Sequence, residues 1–280
     1  MGASVGAELF KIVKRPAVWV LLAAWLVANQ VFSFVIPYLS YRGSSTPPEA
    51  AAGRTPDEIL ADALPANLVE NAIAGLPLFG GALLLVLGGL VMGSEYGWDT
   101  LRTMFTQRPR RLAIFGGKLI ALGVVVTALV LATFAADAAT SWGLATVESA
   151  PTNWPSLGDL AVGIAAGLLI AGTWTAVGVV LAVLLRGTAL PIGLGLVWLL
   201  ALENLIRGAA ALLDVFDTVQ KALPGVNAGS LVAELVSASG EGTPGVSAVV
   251  GGGQAAAVLA AYAVVGLGAA AITLQRRDVT

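Results

Sequence analysis

The chain has 280 residues, 57% of them hydrophobic and only 11% charged, with a formal charge of −2 and no cysteine or histidine. Soluble domains carry about 25% charged residues, so an ordinary water-soluble fold is excluded, as are disulfides, zinc sites and histidine or cysteine catalysis. The balanced charge gives no footprint for nucleic acid, and a mean hydropathy of +0.86 places the chain among polytopic membrane proteins.

In chain order, residues 1–15 read as a short amphipathic helix. Val5, Leu9, Ile12 and Val13 share one face, and Glu8, Lys11, Lys14 and Arg15 face elsewhere. Such a helix can lie in the headgroup plane with its lysines on anionic lipid; a plain positive flank to the first span is the other reading. A span needs about 20 apolar residues. Six stretches qualify: about 17–38, 72–92, 112–136, 160–185, 189–205 and 246–274. The first is too long for the apolar core of a signal peptide and reads as a retained helix. The spans and their connections fill 1–280 as one all-α transmembrane domain, with no room for a separate soluble unit.

Eleven of the fifteen basic residues cluster on one side: Lys11, Lys14, Arg15, Arg102, Arg108, Arg110, Arg111, Lys118, Arg186, Arg276 and Arg277. The positive-inside rule puts that side, with both termini, in the cytoplasm. Arg42, Arg54, Arg207 and Lys221 fall on the other side, among acidic residues such as Glu49, Asp57, Asp214 and Asp217.

The connection 93–111 is polar and too long for a minimal turn. Its residues 99–107 have helical potential, with Leu101, Met104 and Phe105 on one side, and Pro109 stops the run. It reads as a helix along the cytoplasmic face, or as a basic loop that only fixes topology. Span three brings Asp137 near its outer end. Glu203 and Arg207, four residues apart near the outer end of span five, can form an ion pair. No carboxylate is expected at mid-membrane, which weighs against an ion-coupled carrier. In the outer connection 206–245, Leu212, Phe216, Val219 and Leu223 recur at helical spacing. They suggest an interfacial helix ended by Pro224-Gly225, with a second short piece at 231–236. The pairs Gly89–Gly93 and Gly163–Gly167 would permit close helix contact, but in so alanine- and glycine-rich a chain they read mostly as chance. Trp19, Trp142 and Trp154 suit an interfacial belt.

A phosphate-binding loop is absent: the nearest fragment, Phe115-Gly116-Gly117-Lys118-Leu119, lacks the first glycine and the final Ser or Thr. Any ATP would therefore be bound by another chain. Residues Glu95, Thr100-Leu101-Arg102, Pro109, Arg111 and Gly117-Lys118 resemble the permease subunits of ATP-binding-cassette transporters of the type 2 exporter class, although Asp99 stands where glycine is usual. The C-terminal Arg276-Arg277-Asp278 looks like the endings of that family.

The resemblance implies a six-span exporter permease in the plasma (inner) membrane, paired with a second permease subunit as a homodimer or heterodimer and docked on separate ATPase subunits. ATP would sit on the partner, with no cofactor, metal or catalytic residue in this chain. The 93–111 segment would be the coupling helix, through Glu95, Thr100, Arg102, Arg108, Arg110 and Arg111, and the N-terminal helix would also meet the ATPase. Spans two and five would tilt at the dimer centre, and the short helices at 212–236 would form an outer lid. A secondary carrier without an ATPase, a membrane-embedded enzyme and an assembly or scaffold protein are the alternatives.

Overall fold

The computed structural model describes residues 2–43, 55–97, 111–210, 212–236 and 243–276, and every element among them is helical. Helix α1 (Gly2–Val13) precedes six spans: Pro16–Tyr41, Pro65–Tyr96, Leu112–Val147, Leu157–Leu185, Ala189–Ala210 and Gly252–Arg276. Short helices occupy the side of the membrane away from the termini, here the far side: α2 (Pro56–Asp62) before span two, then α3 (Asp214–Gln220) and α4 (Pro224–Leu235) before span six. With six apolar helices of spanning length, the chain is a multi-pass membrane protein.

Spans two and four form the centre of the packing. Gly88 faces the carbonyl oxygen of Thr175, Gly178 faces that of Leu85, and Gly93 faces that of Gly187, each so closely that a Cβ would collide with backbone. Without a hydrophobic force between helices in lipid, such backbone approach supplies the dispersion contacts that hold spans together. The glycine pairs singled out from sequence take part as well. A Cβ at Gly89 would lie 2.9 Å from Ile192 Cγ1, and one at Gly163 2.5 Å from Val69 Cγ1. These positions are packing sites, which corrects the expectation that composition alone put them there.

Three spans contain a π-helical turn: Val31–Val35, Leu76–Gly80 and Val197–Leu202. Pro37 follows the first and Pro77 lies inside the second, and each removes a backbone donor and forces the ladder to shift register. The third contains no proline; it brings Trp198 and Glu203, five residues apart, into hydrogen-bonding contact.

Several boundaries differ from expectation. Span three continues ten residues past Asp137 to Val147, because Thr140 and Ser141 find partners inside the protein. Span two begins at Pro65 and span five runs to Ala210. Span six begins at Gly252, since the preceding stretch is held non-helically: the backbone N–H groups of Val249 and Val250 donate to Ser230 Oγ, which itself donates to the Ser247 carbonyl. Helix α2 was not expected; its Thr55 and Glu58 form a reciprocal capping box. Pro224 opens α4 at its first turn, where proline is tolerated, and so starts a helix where it was expected to end one. Residues Pro224–Val232 of α4 are all buried, so α4 is packed within the protein. At the far side, Tyr38 and Tyr41 donate to the Glu148 carboxylate at 2.7 and 3.1 Å, tying span one to the end of span three. These hydrogen bonds, Tyr38's first, hold the Glu148 carboxyl below its usual range against the opposing effect of desolvation.

Candidate functional site

The side that carries the N-terminus holds a buried ion cluster built from three elements. Lys118, seven residues into the helix of span three, is 1% exposed and places its Nζ 2.6 Å from Glu8 Oε2 and 2.7 Å from Glu95 Oε1. Lys11 pairs with Glu8 one turn earlier on α1 and reaches Glu95 Oε1 at 3.0 Å. Arg15 Nη1 donates to Ser94 Oγ at 2.7 Å. Two anions and two cations therefore join α1, the last turn of span two and the first turns of span three. Burial raises the Glu8 carboxyl, but Lys118 and then Lys11 outweigh it, and the group lies below its ordinary range.

Gly117 makes this docking possible, since a Cβ there would stand 2.6 Å from Ser4 Oγ on α1. The Gly-Lys pair that opens span three thus has a two-part physical role: glycine admits α1 against the span, and lysine pins it there.

This arrangement corrects the reading of α1. Glu8, Lys11 and Arg15 turn toward the protein, while Phe10 and Val13 are exposed and Lys14 lies over the Phe10 ring at 5.5 Å. Charge burial at Glu8 and apolar burial at Ile12, with Leu9 packed beside it, together set the rotation of the helix against the protein rather than against lipid. Glu95 is likewise 1% exposed, and its carboxylate is engaged by Lys118 and Lys11 within the protein. Thr100, Arg102, Arg108 and Arg110 lie outside the described residues, as does the Arg111 side chain at the very start of the helix of span three.

Within the membrane, Asp137 is fully buried between spans one and three. Asn29 Nδ2 donates to its two carboxylate oxygens at 2.9 and 3.0 Å, and Gln30 Nε2 donates to Oδ1 at 2.5 Å. Thr140 Oγ1 in turn donates to Gln30 Oε1 at 2.8 Å, and Trp25 donates to Thr133 one helical turn below. Asn29 stands near the middle of span one. The expectation of no carboxylate deep in a span is therefore corrected: the extended span three carries Asp137 well inside the helix packing, where amide donors satisfy it.

Glu203 is the second such group. It is fully buried, and its Oε1 accepts from Trp198 Nε1 at 2.8 Å and from the Gly225 backbone N–H at 3.2 Å. The latter lies at the N-terminus of α4, where the helix dipole favours an anion. Arg207 Nη2 stands 4.0 Å from Glu203 Oε2, a looser contact than either hydrogen bond. Gly225 is required here, because a Cβ would collide with the Glu203 carboxylate.

Sequence reasoning flagged Glu95, Gly117 and Lys118 through the family resemblance. It did not bring Glu8 to them, nor Asn29 and Gln30 to Asp137, nor Gly225 to Glu203. The readable signal for the last was the Pro-Gly pair opening a helix.

Residues 4–201 match the family model described as ABC-2 family transporter protein. No curated protein matches the chain. The match takes in α1, the ion cluster and spans one to four with most of span five, and on that extent the chain belongs to the ABC-2 transporter family as a membrane subunit.

Proposed function

We propose that the chain is the permease subunit of an ATP-driven exporter in the plasma membrane. It works as a dimer with a second permease and takes its energy from separate ATP-binding-cassette subunits. Both termini then face the cytoplasm, in line with the eleven basic residues on that side. The observation that carries this reading is the Glu8–Lys118–Glu95–Lys11 cluster. It joins the end of span two to the start of span three, the two spans that the connecting segment links in sequence, so a push on that segment would be delivered to both spans together. Span two in turn carries span four through their shared glycine contact. A mechanical stroke needs elements that move as units, and this network supplies them.

The test acts on the connecting segment. Reversing Arg108, Arg110 and Arg111 together to glutamate should weaken docking to the ATPase, and Thr103→Pro should break a helix there without changing charge. Both variants should reach the membrane at normal levels yet lose substrate-stimulated ATPase activity in reconstituted vesicles, and the triple variant should also lose pull-down of the partner. Normal coupling by both would reduce the segment to a topogenic loop.

A second reading draws on Asp137 and Glu203. The contact of Asp137 with Asn29, near the middle of span one, weakens the ground on which an ion-coupled carrier was disfavoured. Transport by the purified chain without nucleotide or partner would favour it; dependence on both would exclude it.

A further inference from the structure

Spans four, five and six border a groove of about 430 Å³ whose wall includes Val177, Val180, Leu194, Trp198, Pro224 and Tyr262. Its size falls in the range of ligand sites, about 300–1,000 Å³. The polar atoms of its two amphipathic rings are already engaged: Trp198 donates to Glu203, and the Tyr262 hydroxyl donates to the Ala222 carbonyl at 3.1 Å. The faces these rings present are hydrocarbon. Leu194 and Trp198 remain partly exposed along the span, so the groove is open on the membrane side.

A cation, Arg207, lies next to one end of the groove, just outside its lining. Pro224 lines the wall, and at the adjacent Gly225 a Cβ would lie 3.4 Å from Arg207 Nη2. Arg207 is only loosely paired. Its partner oxygen on Glu203 is 4.0 Å away, beyond hydrogen-bonding distance, and its Nε is buried without an acceptor. Glu203 Oε1 accepts from the indole N–H and from the N-terminus of α4, while Oε2 faces Arg207 across 4.0 Å without a hydrogen bond. The guanidinium keeps donors for another oxygen anion, and its planar fork matches a phosphate or carboxylate.

We infer that this groove holds an acyl chain of a lipid from the far-side leaflet, whose anionic head pairs with Arg207. The hydrocarbon wall takes the tail, the spare donors take the head, and the two are contiguous at Pro224-Gly225. No nucleotide or partner chain enters the inference, so the coupling proposal can fail without touching it.

The test uses the full chain in vesicles containing either phosphatidylglycerol or phosphatidylcholine with brominated acyl chains, which quench nearby tryptophan. The Trp198 signal is taken as the difference between the chain and its Trp198→Phe variant. Phosphatidylglycerol should half-quench it at a mole fraction about fivefold lower than phosphatidylcholine, the size of one basic residue's attraction for an anionic head. Arg207→Gln should abolish that preference and leave quenching by phosphatidylcholine unchanged. Gly266→Phe, which fills the groove and keeps the head pair, should remove quenching by both lipids and serves if Arg207→Gln fails to accumulate. Equal quenching by the two lipids in the unsubstituted chain would mean bulk lipid only and overturn the inference. Absence of quenching would do the same, by showing the groove closed, for instance by a second copy of the chain.

Discussion

At the end of the molecule that holds the N-terminus, two buried carboxylates, Glu8 and Glu95, face two lysines. Between spans one and three, the carboxylate of Asp137 faces two amides and, among the described residues, no cation. The first arrangement meets charge with charge at the edge of the membrane. It is strong, weakly directional, and tolerant of small shifts among the three elements it joins. The second meets a charge with oriented neutral donors, which demand fixed geometry from spans one and three. The comparison teaches that the chain has a clamp at one end and an aligning contact further in. The two should respond differently when a partner is removed.

Lys118→Met should have the largest effect. It removes the buried cation that Glu8 and Glu95 share, and breaking a buried pair in this way costs about 3–5 kcal/mol. The variant should show a lowered unfolding temperature in detergent and ready proteolysis of α1. Adding Glu95→Gln should recover part of the loss, because one of the two buried anions that shared Lys118 is then gone. Full stability of Lys118→Met would mean the cluster clamps nothing.

Asp137→Leu should come next. It strands the amide donors of Asn29 and Gln30 at about 1–3 kcal/mol, the usual penalty for an unsatisfied buried polar group. Asp137→Asn should lose less, since its carbonyl can still accept from one of them. Equal losses for Asp137→Leu and Lys118→Met, measured side by side, would erase the contrast between the two sites.

The smallest effect is on pH. The Glu8 carboxyl lies below its ordinary value, so its contribution to docking α1 is complete above that ordinary value and is lost as pH falls through the folded one. A fluorescent label on α1 should therefore report a docked helix down to about pH 5 and release only in stronger acid. Release starting above that point would mean that the lysines do not hold Glu8.

Six spans were legible because runs of about 20 apolar residues admit no other fold in this composition. Their ends were less so. Span three was expected to stop at 136 because Asp137 reads as an interface residue until Asn29 and Gln30, more than a hundred positions away, are seen to satisfy it. The capping box at Thr55–Glu58 was readable locally and went unread. Pro224 was misread because proline both follows helices and opens them, and only the neighbour at Glu203 decides which. Of the ion cluster, Glu95, Gly117 and Lys118 stood out through the family likeness. Glu8 was placed on the polar face of an interfacial helix because amphipathic spacing on a short helix assumes a lipid partner and cannot foresee a buried lysine on another span.

The backbone approach of Gly88 to Thr175 and of Gly178 to Leu85 has a genetic corollary. Every replacement reachable from a glycine codon by one base change adds at least a Cβ, and at these two positions that atom meets a backbone carbonyl that no rotamer change can move aside. Neither gene position then has a neutral missense neighbour, and compensation elsewhere in the other helix cannot supply one, since the obstacle is main chain. Spans two and four should accordingly diverge at their other faces while this seam stays invariant, leaving a pair of helices inherited as a single evolutionary unit.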